Sequence, residues 1–564
     1  MWKKRRIKDS CLSRPIEENP TARINKSKMN SKTRKILKWT GGILGFLILI
    51  VAGAGVYLSS LMPKPMGKPP VLQAELFRKP QVGFPVEGKF IFKSATELAL
   101  LIKTQKAKSV EITQEFINYI KNNNYKTNAF VWLFEQEALE AAREADEKVE
   151  RGEPLGALHG VPVCIKEEFW VKDKPCTWNA EEYQGFIAPR NAAAVDAWQH
   201  EGAIILGTTN VPKMLMDMQT KGDLYPEASN PYDATRTPGG STGGGAAAVA
   251  SGFCPLSLGG DYGGSIRIPA GFCGLYGLKT TDGSMGKKFG SSPDTTGNEK
   301  YRCMAVAGPM ARTIDDIELG WTALIKPWHN KNKWLSVDKR KDLHQYRVAY
   351  FDEWHFGNDK IPISNSVKQK LQLLVDSLKN RGVAMDNVQP ENFAEMRQMH
   401  MLLMAYMLFS NQPWIIRQFI KREYTNGTPL KIDMSEGIAR IGNPDKGEYD
   451  KILLRRDSLR GAMERFFSVY DFLILPITPG PAFVKNPNHE PMAVGTDKLE
   501  YWDHFHYTMC FNATGHPALT VPLGLNQEGL PIAVQIVGPM FSEKRLIHFA
   551  KLIQPLHVGY VSPK

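Results

Sequence analysis

Apolar positions along the chain fall into three patterns, and each predicts a different element. The first is one uncharged run of 24 residues from Trp39 to Met62, WTGGILGFLILIVAGAGVYLSSLM. A run of that length spans the hydrocarbon core of a bilayer as a helix. The second is helical spacing. Ser94 and Glu97 form a capping box that opens an apolar helical stretch through Leu98, Leu101 and Ile102. Ser109 starts a second helix, and Glu135 to Arg151, rich in Ala and Glu, reads as a third. A further helix runs from Ser366 to Arg381, with Gly382 placed to end it. The third pattern is the short apolar run. Val161–Ile165, Ala203–Leu206, Leu256–Leu258, Val348–Phe351, Phe472–Leu475, Leu519–Leu523 and Ala533–Val537 read as strands. Strands alternating with helices predict an α/β fold with a buried, mostly parallel or mixed sheet. The stretch from about 320 to 470 is more helical, and no fixed-period repeat is present.

Charge refines the N-terminal picture. The chain of 564 residues carries a formal +13. Residues 1–38 hold 13 Lys and Arg against 3 Asp and Glu, a net of +10, which leaves +3 for the rest. The excess belongs to a leader and points to no nucleic-acid face on the body. Lys32, Arg34, Lys35 and Lys38 precede the apolar run, so the positive-inside rule places the N-terminus in the cytoplasm and the body outside. The rival is a cleaved signal peptide. Its apolar region would be Gly41 to Val51 and its cleavage site Ala52-Gly53-Ala54, which would make the product secreted. The run stays apolar beyond that site, which favours a single-pass anchor. Met29 is an alternative start that gives a shorter basic segment. Four segments are thus expected: a leader over 1–38, an anchor or signal over 39–62, a proline-rich linker over 63–90, and a catalytic body over 91–564. Seven cysteines form no C-x-x-C pair; they read as small buried hydrophobes, with up to three disulfides open to the six beyond the leader.

The candidate chemistry lies between Thr235 and Thr281, TRTPGGSTGGGAAAVASGFCPLSLGGDYGGSIRIPAGFCGLYGLKTT. The glycines make no phosphate loop, because Leu278 separates Gly277 from Lys279. They bracket two serines, Ser241 and Ser265. Exposed N–H groups beside a serine are what an oxyanion hole requires.

Here the segment resembles the signature of the amidase-signature family, which includes fatty acid amide hydrolase and bacterial amidases. The matching pieces are Pro238 to Gly244, PGGSTGG, and Gly263-Gly264-Ser265-Ile266-Arg267 with Pro269. Gly160 to Glu167, GVPVCIKE, matches the family's lysine strand. Gly207 to Pro212, Gly308 to Arg312, Gly515 to Ala518 and Gly529 to Pro531 also match. The matches run from about residue 90 to about 550. The resemblance implies a mixed β-sheet covered by helices on both faces, and an amidase that works through an acyl-enzyme. It implies Ser265 as nucleophile, Ser241 as proton relay held by a cis Gly240–Ser241 peptide, and Lys166 as base. The N–H groups of Tyr262, Gly263, Gly264 and Ser265 would form the oxyanion hole, and Asp261 and Arg267 would fix the loop. For Lys166 to act it must be uncharged, which burial with little compensating negative charge would favour. The chain departs from the family at Gly260, where Thr is common, at Tyr262, where a small aliphatic residue is common, and at Thr242, which replaces a second serine.

Two other readings compete. Gly239 to Gly243 satisfies G-x-S-x-G, which would make Ser241 the nucleophile of an α/β-hydrolase elbow with a distant histidine such as His516. The polar, proline-broken stretch Asn230 to Pro238 is a poor strand for an elbow. The second rival is an amidotransferase subunit that releases ammonia to a partner; a membrane leader disfavours it. The expected partners are a small-molecule amide and the membrane, with no nucleic acid and a homodimer left open. No cofactor is implied, and no metal site, since H-E-x-x-H is absent and the histidines are scattered. Substrate residues are not readable. Leu215, Asp217 and Gln219 are candidates to border the pocket. The apolar stretch with Met396, Met399, Met401, Met404 and Met407 suits either a core helix or a flexible acyl chain, and with the tether it suggests a lipophilic amide.

Overall fold

The computed structural model describes residues 68–285, 303–328, 338–356, 359–409 and 446–563. The leader and the 39–62 run lie outside them. Among the described residues no helix is long and apolar enough to cross a membrane. The chain divides into two units, residues 1–64 and 65–564, and every element named here belongs to the second.

Its centre is one mixed sheet of eleven strands. They are β1 Phe130–Leu133, β2 Pro162–Lys166, β3 Ile204–Thr209, β4 Leu256–Asp261, β5 Tyr276–Lys279 and β6 Val306–Ala311, then β7 Arg347–Tyr350, β8 Ala384–Asn387, β9 Phe472–Pro476, β10 Ala518–Leu525 and β11 Pro531–Val537. The spatial order is β1-β3-β2-β4-β6-β5-β10-β11-β9-β7-β8. Strands β3, β2 and β4 run parallel, as do β9, β7 and β8, while the middle of the sheet is antiparallel. Both faces are covered. Along β9, Phe472 and Ile474 join one hydrophobic cluster, while Leu473 and Leu475 join another. Successive side chains on a strand point to opposite faces, so each face has its own core.

All seven strands read from apolar runs are present, each within a few residues of its expected ends. Four were not read. β6 contains Gly308-Pro309, a pair that signals a turn; its partner β5 reaches only to Gly277 opposite Met310, which leaves the proline beyond that ladder. β1 is four residues long and runs straight into a helix, and β8 is a polar edge strand.

The helices follow their caps. α1 Ala95–Lys103 has the full Ser94/Glu97 box, α2 spans Ser109–Asn123 and α3 Glu135–Glu150. α4 Gly243–Ala250 and α5 Arg267–Phe272 follow the two serines and are buried throughout. α6 Asn365–Asn380 stops before Gly382, at φ +82°. α7 Phe393–Phe409 carries the methionine stripe. Met396, Met399, Met401 and Met404 are buried in the core, so this stripe is packing. α8 Lys446–Val469 and α9 His506–Thr514 pack against it.

The linker expected over 63–90 is attached to the body from Leu72 onward. Leu76 is buried in the main core, and the Gln73 side chain donates to the Leu133 carbonyl at 3.0 Å and accepts from its N–H at 2.8 Å. Apolar Leu76 and the amide of Gln73 outweigh the stiffness of the surrounding prolines. Six cysteines lie among the described residues; all are free thiols and five are buried.

One substitution probes the sheet centre. A Cβ at Gly308 would sit 1.9 Å from the Leu278 backbone oxygen. Gly308→Ala is expected to destabilise the protein by about 1–3 kcal/mol or more, read as a lowered urea midpoint.

Candidate active site

Three parallel strands end side by side, and the candidate residues lie at or near those ends. β2 ends at Lys166, opposite Thr209 at the end of β3, and β4 ends at Asp261. The carboxyl ends of parallel strands are where chain loops can converge on a ligand. Lys166 is buried because β2 is covered on both faces. Its Nζ donates to Ser241 Oγ at 2.9 Å and to the Gly260 carbonyl at 3.2 Å. Ser241 is joined to Gly240 by a cis peptide and lies two positions ahead of Gly243, the first residue of α4. The loop before it is held by Thr220, whose hydroxyl donates to the Gly239 carbonyl at 2.7 Å. Much of the glycine run after Ser241 serves packing. A Cβ at Gly244 would lie 2.3 Å from the Asn210 nitrogen.

Ser265 lies on the turn from β4 to α5. The backbone ties it to Ser241's neighbour, with the Thr242 N–H donating to the Ser265 carbonyl at 3.1 Å. Ser265 is part-exposed, and its hydroxyl makes no hydrogen bond among the described residues. The turn is pinned by a fully buried ion pair. Arg267 donates through Nε to Asp261 Oδ2 and through Nη2 to Oδ1, both at 3.0 Å. Its Nη1 reaches the Thr508 carbonyl and Gln535 Oε1, each at 2.9 Å, and Asn512 Nδ2 donates to Asp261 Oδ1 at 2.9 Å. Burial alone would raise the Asp261 carboxyl, but the charge and hydrogen bonds of Arg267 outweigh it and hold it well below the usual carboxylate range. Asp261 and Arg267 therefore fix the loop, as the resemblance implied.

Two expectations need correction. Gly264 was expected to offer its N–H to an oxyanion. That N–H instead donates to Asp261 Oδ1 at 2.9 Å, because the carboxylate that binds Arg267 also caps the turn. Among the described residues, the N–H groups of Tyr262, Gly263 and Ser265 have no acceptor in the protein. Lys166, expected to have little negative charge nearby, has Glu168 Oε2 2.7 Å from its Nζ.

Other groups around the site escaped the sequence reading. Glu167, next to the lysine, turns away and accepts from Thr177 N, Thr177 Oγ1 and Tyr225 OH. Burial pushes its carboxyl up to about 7 against those hydrogen bonds. His400 on α7 reaches the turn after β4, with Nε2 donating to the Tyr262 carbonyl at 2.9 Å. Burial lowers this imidazole to about 4, which keeps it neutral. Its signal was hidden among the methionines. Asp217 accepts from His489 Nε2 at 2.9 Å and from the Tyr501 hydroxyl, and a Cβ at Gly240 would meet its carbonyl. Gln219 is spent on the Asn486 backbone, and Leu215 has no recorded role. His516 pairs with Glu464 at 3.1 Å and packs on Phe467. The Ser241 hydroxyl is engaged by Lys166, and no strand leads into residues 239–243, so the elbow geometry is absent. Among the described residues, no group of three or more His, Cys, Asp or Glu could hold a metal ion.

The Amidase family model matches residues 111–547. The chain belongs to the Amidase family. Members of this family act on amide C–N bonds. Among curated proteins, it is similar to the A-type subunit of the glutamyl-tRNA(Gln) amidotransferase of Clostridium botulinum, 29% identical over 483 residues that cover 81% of this chain and 95% of that protein. Among solved structures it resembles fatty acid amide hydrolase, with TM-score 0.68, 25% identity and coverage of 85% of this chain and 87% of that one. A 6-aminohexanoate cyclic dimer hydrolase complexed with substrate shares the fold at TM-score 0.67 and 22% identity, covering 84% of this chain and 99% of that one.

The buried pair makes the turn testable. Arg267→Met leaves Asp261 unpaired in the core and is expected to cost about 3–5 kcal/mol, measured by urea unfolding. In the parent, Asp261's contribution is present above its unfolded value, about pH 3.9, and is lost as pH falls through the depressed folded value.

Proposed function

We propose that the chain is a serine amidase that hydrolyses a carboxamide to a carboxylic acid and an amine or ammonia. The observation that carries this is the buried 2.9 Å contact between Lys166 Nζ and Ser241 Oγ beside the turn that holds Ser265. Ser265 Oγ attacks the amide carbon. Its proton passes to Ser241 Oγ as the Ser241 proton passes to uncharged Lys166. The carbonyl electron pair moves onto oxygen, where the N–H groups of Tyr262, Gly263 and Ser265 face it; one such donor is worth about 100-fold in rate or more. Ser241 then protonates the leaving nitrogen and takes its own proton back from Lys166. The C–N bond breaks, and water repeats the cycle on the acyl-enzyme. Hydrogen bonds of this kind often tighten only with substrate bound, which suits the unengaged Ser265 hydroxyl.

A second reading has one observation in its favour. The similarity to amidotransferase subunits of the A type fits release of ammonia to a partner. Residues 39–62 are proposed as a single-pass anchor, with the N-terminus in the cytoplasm and the catalytic body outside. A lipophilic amide is the substrate class that such a tether favours.

Labelling with a fluorophosphonate tests the assignment. The probe is expected on Ser265 by peptide mass spectrometry, to be lost in Ser265→Ala and to slow by about 100-fold or more in Ser241→Ala and Lys166→Ala. His516→Asn is expected to label normally. A probe on Ser241, or loss of labelling in the histidine variant, would move the assignment to the elbow. Turnover of acyl amides graded in chain length, set against glutamine, separates the lipophilic amidase from the ammonia donor. Retention of the full-length chain in carbonate-washed membranes checks the anchor.

A further inference from the structure

The turn after β4 is held by its carbonyls. The Asp261 carbonyl accepts from Asn512 Nδ2 at 3.3 Å and the Tyr262 carbonyl from His400 Nε2 at 2.9 Å. The Gly263 carbonyl accepts from the Thr508 hydroxyl at 2.6 Å, and the Gly264 carbonyl from the Ile268 N–H at 2.8 Å. These peptides are trans. In a planar trans peptide the C=O and the N–H of the next residue point in opposite directions. A held carbonyl therefore decides where the following N–H is aimed. The Gly264 N–H is sent onto Asp261 Oδ1. Those of Tyr262, Gly263 and Ser265 meet no acceptor among the described residues.

Of the four donors, His400 stands apart. Asn512 and Thr508 both come from α9 and belong to the network around Asp261 and Arg267, and the Ile268 N–H is the first turn of α5. His400 arrives from α7, and its ring lies beside the peptide it holds. A Cβ at Gly263 would be 3.4 Å from both Cε1 and Nε2, and the Tyr262 ring meets the imidazole edge-on at 5.4 Å between centroids. A carbonyl cannot donate, so Nε2 carries the hydrogen and Nδ1 the lone pair. Nδ1 is buried and has no partner among the described residues. A buried polar atom left unpaired is costly. The residues three and four positions away on this helix face, Met396, Leu403 and Met404, fill the same core without that cost. The bond to the Tyr262 carbonyl is thus what an imidazole supplies here and an apolar side chain would not.

We propose that His400 is a positioning residue: by holding the Tyr262 carbonyl it keeps the Gly263 N–H aimed at the oxygen of the carbonyl under attack. The inference rests on the reading of Ser265 as nucleophile. Without the imidazole, the peptide between Tyr262 and Gly263 turns about its flanking bonds, which Gly263 does little to resist, and its N–H leaves the hole. The loss falls on the chemical step, because the donor meets full charge only as that charge develops on oxygen.

Fluorophosphonate labelling of Ser265 in the full-length protein gives the readout, since the phosphoryl oxygen takes the place of the amide oxygen. Followed over a range of probe concentrations, it yields a maximal rate and a half-saturating concentration. His400→Phe keeps a ring and loses the donor. Its maximal rate is expected to fall by at least about tenfold, one oxyanion donor being worth about 100-fold when removed outright. Its half-saturating concentration should stay at the parent value. His400→Leu is expected to behave alike. His400→Gln offers an N–H the same number of bonds from Cα as Nε2 and should recover most of the rate, whereas His400→Asn, one bond shorter, should not. Circular dichroism identifies the folded variants. If Phe and Leu fail to fold, the glutamine and asparagine pair decides. Parent-like maximal rates in the folded variants without a donor, a glutamine variant as slow as the asparagine one, or a change confined to the half-saturating concentration each overturns the proposal. If the probe is not found on Ser265 in the parent, the serine amidase reading fails and takes this inference with it. If it is on Ser265 and every His400 variant matches the parent, only this inference fails.

Discussion

The buried contact between Asp261 and Arg267 is the constraint on which the site depends. It closes the turn at the end of β4, and through Thr508, Asn512 and Gln535 it fastens that turn to α9 and β11. Two full charges out of water are tolerable only because nearly every donor and acceptor is matched. The same carboxylate takes up the Gly264 N–H, so the geometry around Ser265 and the core of the protein share one set of hydrogen bonds. Gly264 itself sits at φ +128°, and a Cβ there would meet the Thr508 hydroxyl at 2.4 Å. The turn can take this shape only with glycine at that position.

Around this fixed turn the remaining groups converge from distant parts of the chain. Lys166 arrives on β2, Ser241 from the loop before α4, and His400 from α7 across the Tyr262 carbonyl. The end of β2 and the loop before α4 bring the first two within hydrogen-bond reach although 75 residues separate them.

Much of this was legible in the sequence, for physical reasons that can be named. Strands such as Phe472–Pro476 are apolar on both faces, so they announce themselves as unbroken runs. β6 does not, because its centre needs a glycine and carries a proline. Lys166, Ser241 and Ser265 could be named as candidates because each sits in a motif whose local shape requires fixed neighbours. Glu168 and His400 were not. The contact of Glu168 depends on the missing side chain of Gly260, 92 positions further on. His400 lies in a helix whose other residues say only that it is buried. The donor lost at Gly264 was hidden for the same reason, since a loop sequence does not say which N–H its own carboxylate will claim.

The attachment of Gln73 to Leu133 has a bearing on assembly. β1 is one margin of the sheet, and an open margin is a template on which a second chain can add a strand. One amide side chain meets both the N–H and the carbonyl of Leu133, as a neighbouring strand would. The stretch before the body thus acts as a selvedge: it finishes a raw border that would otherwise invite stacking of copies side by side.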